Sequence, residues 1–116
     1  AAIAKGQQAA GPEAKGTPAK QLLSRAETSV IVLNGNGIAG AAGAVAERAR
    51  ARRYVIAATG NAPRSDFPRS LVMYRPGFEG EAQRLARDLG IKRVAPLDGV
   101  RASELQGAHL ALIVGG

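Results

Sequence analysis

Three groups of residues have types and spacing that suggest chemistry. The first is Gly35-Asn36-Gly37-Ile38-Ala39-Gly40, a G-x-G-x-x-G run that follows the apolar stretch VIVLN. Between a strand and a helix, such glycines let backbone N–H groups approach a pyrophosphate that rests on the helix N-terminus. The second is Arg75-Pro76-Gly77, another glycine turn, here with a guanidinium beside it. The third is Arg48, Arg50, Arg52 and Arg53, a cationic cluster. Guanidinium binds phosphate and carboxylate bidentately. Asn34, Gly35, Asn36, Gly37 and Gly40, with Arg75 and Gly77, are therefore candidate ligand-binding residues, and the four clustered arginines a candidate polyanion patch. If the first and third strands run parallel, both turns open at one sheet edge and converge on a site suited to an anion.

The glycine run lacks what a dinucleotide loop needs next. An acidic residue for the ribose belongs at the end of the second strand, roughly 20 residues on, where this chain reads Ala57-Ala58-Thr59-Gly60-Asn61. Arg64, a candidate partner for a 2′-phosphate, lies beyond that strand in a loop. A plain turn explains the glycines with fewer demands, since Asn and Gly accept positive φ. The alternative is a small nucleotide- or phosphate-binding domain that uses Gly35 to Gly40.

Catalytic and metal chemistry find less support. His109 is the one histidine and opens the last apolar run, which suits a partly buried structural role. Glu47, Asp66, Glu79, Glu81, Asp88, Asp98 and Glu104 are scattered over helix surfaces and loops. Ser65, Ser70 and Ser103 carry no signature of an activated nucleophile. With no cysteine, disulfide and thiolate-metal frameworks are excluded. The expectation is a non-enzyme with no cofactor and no metal.

The 116 residues suit one small domain, and sixteen Lys and Arg against nine Asp and Glu give a net charge of +7. That balance favours polyanionic neighbours. Nucleic acid fits poorly, because only two Phe and two Tyr are present and none interleaves with the arginines as a stacking platform. No apolar run approaches the ~18 residues of a membrane span. Residues 1–29 are rich in Ala, Gly, Pro and Lys, show no apolar signal segment, and read as a flexible linker; Gln21 to Ala26 is its one short helical stretch.

From Val30 the pattern positions the candidate residues. VIVLN is a strand. Ile38 to Arg52 reads as a helix, with Ile38, Ala42, Val45 and Ala49 at helical spacing. Tyr54 to Ala58 is a second strand, joined to the first by a parallel crossover. Thr59 to Arg69 is a loop and Leu71 to Tyr74 a third strand. Phe78, Ala82, Leu85, Ala86 and Leu89 mark a second helix that stops at Gly90. Val94-Ala95 and Leu110 to Val114 close the order β-α-β-β-α-β-β. The expected fold is α/β, a small two-layer sandwich with a mixed sheet of four to five strands and two helices on one face.

VIVLNGNGIAGAAGAVAERAR, Val55, LVMYRPGFEGEAQRLARDLG and the closing LALIVGG resemble the LytR C-terminal domain family over residues 30–116. That family's pattern has a strand entering LNG-x-G-x-x-G-x-A and a later one entering Y-x-PG-x-x-x-x-A. The resemblance implies an extracytoplasmic domain of the bacterial cell envelope. Such domains follow a LytR/CpsA/Psr phosphotransferase domain, which attaches glycopolymers to peptidoglycan, or stand alone behind a membrane anchor. The phosphotransferase domain is not in this chain, and its activity is not carried over. The glycine motif is not known there as a cofactor site. One departure stands out: the family usually places glycine before the aromatic that opens the second strand, and here Arg53 precedes Tyr54. The expected function is a non-catalytic envelope module. It binds cell-wall polymer, either peptidoglycan or an anionic glycopolymer, or a LytR/CpsA/Psr-type wall-assembly protein. Nucleic acid is not an expected partner, and any membrane contact runs through an anchor outside this sequence. A scaffold that only contacts proteins is a third possibility.

Overall fold

A computed structural model describes residues 22–98 and 100–115. The elements are β1 (Ser29–Asn34), α1 (Ala41–Ala51), β2 (Val55–Asn61), β3 (Leu71–Tyr74), α2 (Glu79–Leu89), β4 (Val94–Pro96) and β5 (Leu110–Val114), with 3-10 turns at Arg25–Glu27 and Ala102–Leu105. The five strands form one mixed sheet in the order β2-β1-β5-β3-β4. β1 is parallel to β2 and β5, β3 is parallel to β4, and β3 is antiparallel to β5. The α/β architecture expected from the sequence is the one observed.

Burial follows strand position. β5 is buried at all five residues and lies mid-sheet, where both faces need apolar side chains. Val30, Val32, Leu110, Leu112 and Val114 pack with Ala46, Ala49, Leu85 and Leu89 on the helix-covered face. Ile31, Leu33, Met73, Ala111 and Ile113 face the other way, beneath Val100, Leu105, Ala108 and Phe67, which belong to connecting segments. One face is thus helical and the other covered by loops. β2, at the edge, is largely exposed.

α1 starts later than its apolar spacing predicts. Gly40 takes φ 83° and the helix begins at Ala41, leaving Ile38 outside it and 61% exposed. The buried line is Ala42, Ala46 and Ala49, short side chains that let the helix axis lie close to the sheet. At the other end, Arg53 occupies the left-handed region at φ 78°. The Tyr54 N–H reaches Ala49 O (3.1 Å) and the Arg53 N–H reaches Arg50 O (2.8 Å), the paired bonds of a Schellman stop. α2 ends the same way with Gly90 at φ 74°. The left-handed turn for which the resemblance implies glycine is therefore made here by Arg53, held by those two bonds. Tyr54 lies before β2, buried at 3% exposure.

Most of the expected linker lies outside the described residues, but residues 22–28 pack on α2. The Leu23 N–H donates to Glu81 Oε2 (3.1 Å), and Arg84 Nη2 donates to Thr28 Oγ1 (3.1 Å). Arg25 Nε pairs with Asp88 Oδ2 at 2.8 Å, the oxygen that also accepts the Tyr54 hydroxyl at 2.7 Å. The Arg25 guanidinium, aided by the Tyr54 hydroxyl, holds the Asp88 carboxyl below its ordinary range. Burial pushes the Tyr54 phenol up.

Two outcomes are expected. Arg53→Gly should raise stability by about 0.5–1 kcal/mol, because a β-carbon in the left-handed region costs more than the extra freedom glycine gives the unfolded chain. Urea midpoints with an unchanged m-value would read this. Asp88 has a lowered folded-state pKa, so its contribution is complete at neutral pH and declines as pH falls below about 4. Thermal melts of the native protein and Asp88→Asn should therefore converge on acidification, and a constant gap would contradict the assignment.

Candidate functional site

The glycine turn uses its own donors. Asn34 Oδ1 accepts the N–H groups of Asn36 (3.1 Å) and Gly37 (3.0 Å), and Asn36 Oδ1 accepts that of Ile38 (2.9 Å). The Gly35 N–H donates to Val114 O at 2.9 Å. The amides from Gly35 to Ile38 are all engaged within the protein. The remaining side-chain donors tie the turn down: Asn34 Nδ2 to Ile38 O (2.8 Å) and Asn36 Nδ2 to Gly115 O (3.0 Å).

What the motif holds instead is the loop between β2 and β3. The Phe67 N–H donates to Gly35 O at 2.9 Å. A β-carbon on Gly35 would lie 2.6 Å from Ile113 Cγ2, 2.9 Å from Phe67 Cδ2 and 2.9 Å from Val114 O. A β-carbon on Gly115 would run into the Arg69 backbone, and the Gly115 N–H donates to Ser70 Oγ at 3.0 Å. Gly35 leaves room for the Phe67 ring and the Ile113 methyl, Gly115 for the Arg69 backbone, and together they clasp residues 62–70 against the ends of β1 and β5.

The second turn lies elsewhere. β3 runs antiparallel to β5, and β5 parallel to β1, so Arg75 and Gly77 open at the sheet end opposite Asn34 to Gly40. The convergence that parallel strands would have produced does not occur. Arg75 is half-buried, its N–H on His109 O (3.2 Å) and its Nη1 3.4 Å from Ala108 O. His109 is structural: its Nδ1 accepts the Ser29 N–H at 3.1 Å, and its ring lies 4.6 Å from that of Phe78.

The arginine cluster divides. Arg48 Nη2 donates to Leu89 O (2.9 Å), capping α2, and Arg50 pairs with Glu47. Arg52 and Arg53 are exposed at the helix end. Arg84 does not extend this surface, since it sits over the Tyr54 ring at 5.8 Å and bonds Thr28.

A concavity opens on the loop-covered face. A cavity of about 590 Å³ has a floor of Leu71, Met73, Val100 and Ile113, a wall of Phe67, and Arg64, Arg69, Arg93 and Asp98 around it. Its volume is within the range of ligand sites. The Arg64 guanidinium lies 4.5 Å above the Phe67 ring and pairs with Asp66 at 3.1 Å, which pre-orients it. Three guanidinium groups against two carboxylates, Asp98 and the Asp66 paired with Arg64, leave a net positive rim over the apolar floor, which suits an anion carried on a body with apolar surface. A second cavity of about 650 Å³ adjoins it, sharing Pro63 and Val100 and bordered by Thr59, Asn61, Arg101, Glu104 and Gln106. Sequence reasoning passed over this site because TGNAPRSDFPR reads only as a loop. Its signal was Arg64 and Arg69 flanking one of the chain's few aromatics. Among the described residues, no group of three or more His, Cys, Asp or Glu could hold a metal ion.

If the glycines act as a clasp, Gly35→Ala should cost about 1–3 kcal/mol by overpacking. It should also raise amide exchange across residues 62–70 while leaving α1 protected.

Residues 27–116 match the model of the family described as LytR cell envelope-related transcriptional attenuator. No curated protein matches the chain. A solution structure of the C-terminal domain of RV0431 is similar at 22% identity and a TM-score of 0.49, over 100% of this chain and 92% of that one. With the family model spanning most of its length and the glycine clasp and closing strand inside the match, this chain belongs to the LytR C-terminal domain family of cell envelope-related proteins.

Proposed function

We propose that this domain is a non-catalytic binding module on the extracytoplasmic side of the bacterial envelope that holds an anionic cell-wall polymer. The observation that carries the reading is the set of three arginines, Arg64, Arg69 and Arg93, around an apolar-floored cavity. Guanidinium groups at a concave, partly dry surface bind phosphate or carboxylate more strongly than the same charges on an open helix. The net charge of +7 draws polyanions toward the domain. Family membership supplies the envelope setting. The nucleotide alternative is disfavoured by its own loop, whose amides from Gly35 to Ile38 are already bonded. Catalysis has no support in the arrangement of His109, which is committed to the Ser29 N–H and the Phe78 ring.

Co-sedimentation with peptidoglycan sacculi, stripped of or retaining their anionic polymers, tests this across a salt series. An unrelated basic domain of similar size controls for charge. Pelleting should exceed the control and require the anionic polymers. It should fall about tenfold or more when Arg64, Arg69 and Arg93 are all changed to Gln, each substitution losing charge-assisted bonds. The charge-matched change of Arg50, Arg52 and Arg53 to Gln should cost less. No excess over the control refutes the polymer reading and directs the search to a wall-assembly protein as partner.

A further inference from the structure

The two edges of the sheet are guarded unequally. β4 is three residues long and contains Pro96, and both features keep another strand away. β2 is seven residues, VIAATGN, with no charge and no proline, and is exposed along most of its length. Its one irregularity is a bulge at Ala57, which has no partner on β1 because Val30 pairs with Ile56 and Ile31 with Ala58. From Ala58 the ladder is regular, and the Ala62 N–H donates to Asn34 O at 2.9 Å. Backbone direction alternates along a strand. Gly60 therefore also faces β1, and the N–H and C=O of Thr59 and Asn61 point away from the sheet. Among the described residues no strand lies beyond them. Apolar side chains stand exposed at both ends of this edge. Val55, 46% exposed, opens β2, and Ile38 lies beside Asn34, the partner of the Asn61 that closes it.

We propose that the β2 edge takes up an extended acidic segment of a partner protein as an added strand, with acidic residues of that segment beside Arg52 and Arg53. Main-chain hydrogen bonds at Thr59 and Asn61 supply the pairing, and charge selects the occupant. Arg50 is matched by Glu47 and Arg64 by Asp66. Arg52 and Arg53 are exposed where β2 begins and form no ion pair among the described residues. The carboxylate within Coulombic reach of Arg52 is Asp88, already held by Arg25 and Tyr54. A second copy of the chain is a poor occupant. Antiparallel pairing of two β2 strands brings Arg52 and Arg53 of one toward Arg64 of the other, and each copy carries +7. The chain's own residues 1–21, with three Lys and one Glu, also have the wrong sign. The inference is independent of the polymer reading, whose cavity includes no residue of β2.

The test is titration of the whole chain with a blocked Thr-Val-Thr-Val-Thr peptide extended by acidic residues at both ends, read by backbone amide shifts and hydrogen exchange. Acidic residues at both ends let the peptide run in either direction. Exchange at the Thr59 and Asn61 N–H groups should slow about tenfold or more at saturation, while the Ala62 N–H, bonded already, stays unchanged. The same peptide with lysine ends, and one N-methylated along its central run, should each bind about tenfold or more weakly. Thr59→Pro removes an outward N–H without breaking the ladder to β1, and should weaken the acidic peptide by a similar factor. Arg52→Gln combined with Arg53→Gly should weaken the acidic peptide but not the lysine-ended one. A melting temperature near that of the native protein confirms that each variant folds, and the N-methylated peptide tests the pairing with the protein unaltered. No slowing at Thr59 and Asn61, equal binding of either control peptide, or shifts gathered at Arg64, Arg69 and Arg93 overturns the inference. Thr59 and Asn61 amides already slow in the free chain overturn it too. The edge then belongs to the chain's own N-terminal residues if dilution has no effect, and to a second copy if dilution releases them.

Discussion

Gly35 and Gly115 let their neighbours approach more closely than a β-carbon would allow, and the loop-covered half of the molecule is built on those contacts. Gly35 lies under Phe67 and beside Ile113, and Gly115 lies against the main chain of Arg69. Both glycines end central strands, β1 and β5, so the loop from residue 62 to 70 is fastened to the most deeply buried part of the sheet. The asparagines between them complete the fastening. Asn34 and Asn36 satisfy the turn's N–H groups and Asn36 adds a bond to Gly115 O. A motif whose spacing suggests phosphate binding thus does mechanical work, and Arg64 and Arg69 stand on the loop it secures.

The two faces of the sheet are covered by different means. On one, α1 and α2 bring alanines and leucines against Val30, Val32, Leu110 and Leu112. The short side chains of Ala42, Ala46 and Ala49 keep that layer thin and dense, so little space remains for a ligand. On the other, connecting segments place Val100, Leu105, Ala108 and Phe67 over Ile31, Met73 and Ile113. Segments without regular structure cannot tile a sheet as evenly as a helix, and the gaps between them are the two cavities. A chain with few aromatics has little bulk with which to fill such gaps.

The positive charge is also divided by the fold. Arg25, Arg48 and Arg84 are spent on Asp88, the end of α2 and the Tyr54–Thr28 pair. They hold the segment before β1 onto α2 and join the helices. Arg64, Arg69 and Arg93 come from the loop before β3 and the approach to β4, and meet around one cavity. The sequence presents these residues as one basic composition, and three-dimensional packing separates the structural arginines from those that face solvent over a concave floor.

Local chemistry made the elements readable. The five-residue apolar run LALIV announced a strand, the Phe78–Leu89 spacing announced α2, and Gly90 announced its stop, because side-chain period and backbone freedom act over a few residues. The β-α-β-β-α-β-β order, the mixed sheet, the family resemblance and the structural role of His109 were legible on the same terms. Strand order and direction were not. β5 enters between β1 and β3 and lies antiparallel to β3, which sends the Arg75 turn to the end opposite the glycine loop, and nothing local records that choice. Arg53 was readable as an anomaly, yet only the completed turn shows it in the left-handed conformation of the absent glycine. The arginine-lined cavity was least visible, since its walls come from the β2–β3 loop, the β4 edge and the segment before β5. Residues distant in sequence become neighbours only when the sheet closes, so the amino-acid order determined which segments form and the tertiary structure alone decided which of their side chains meet.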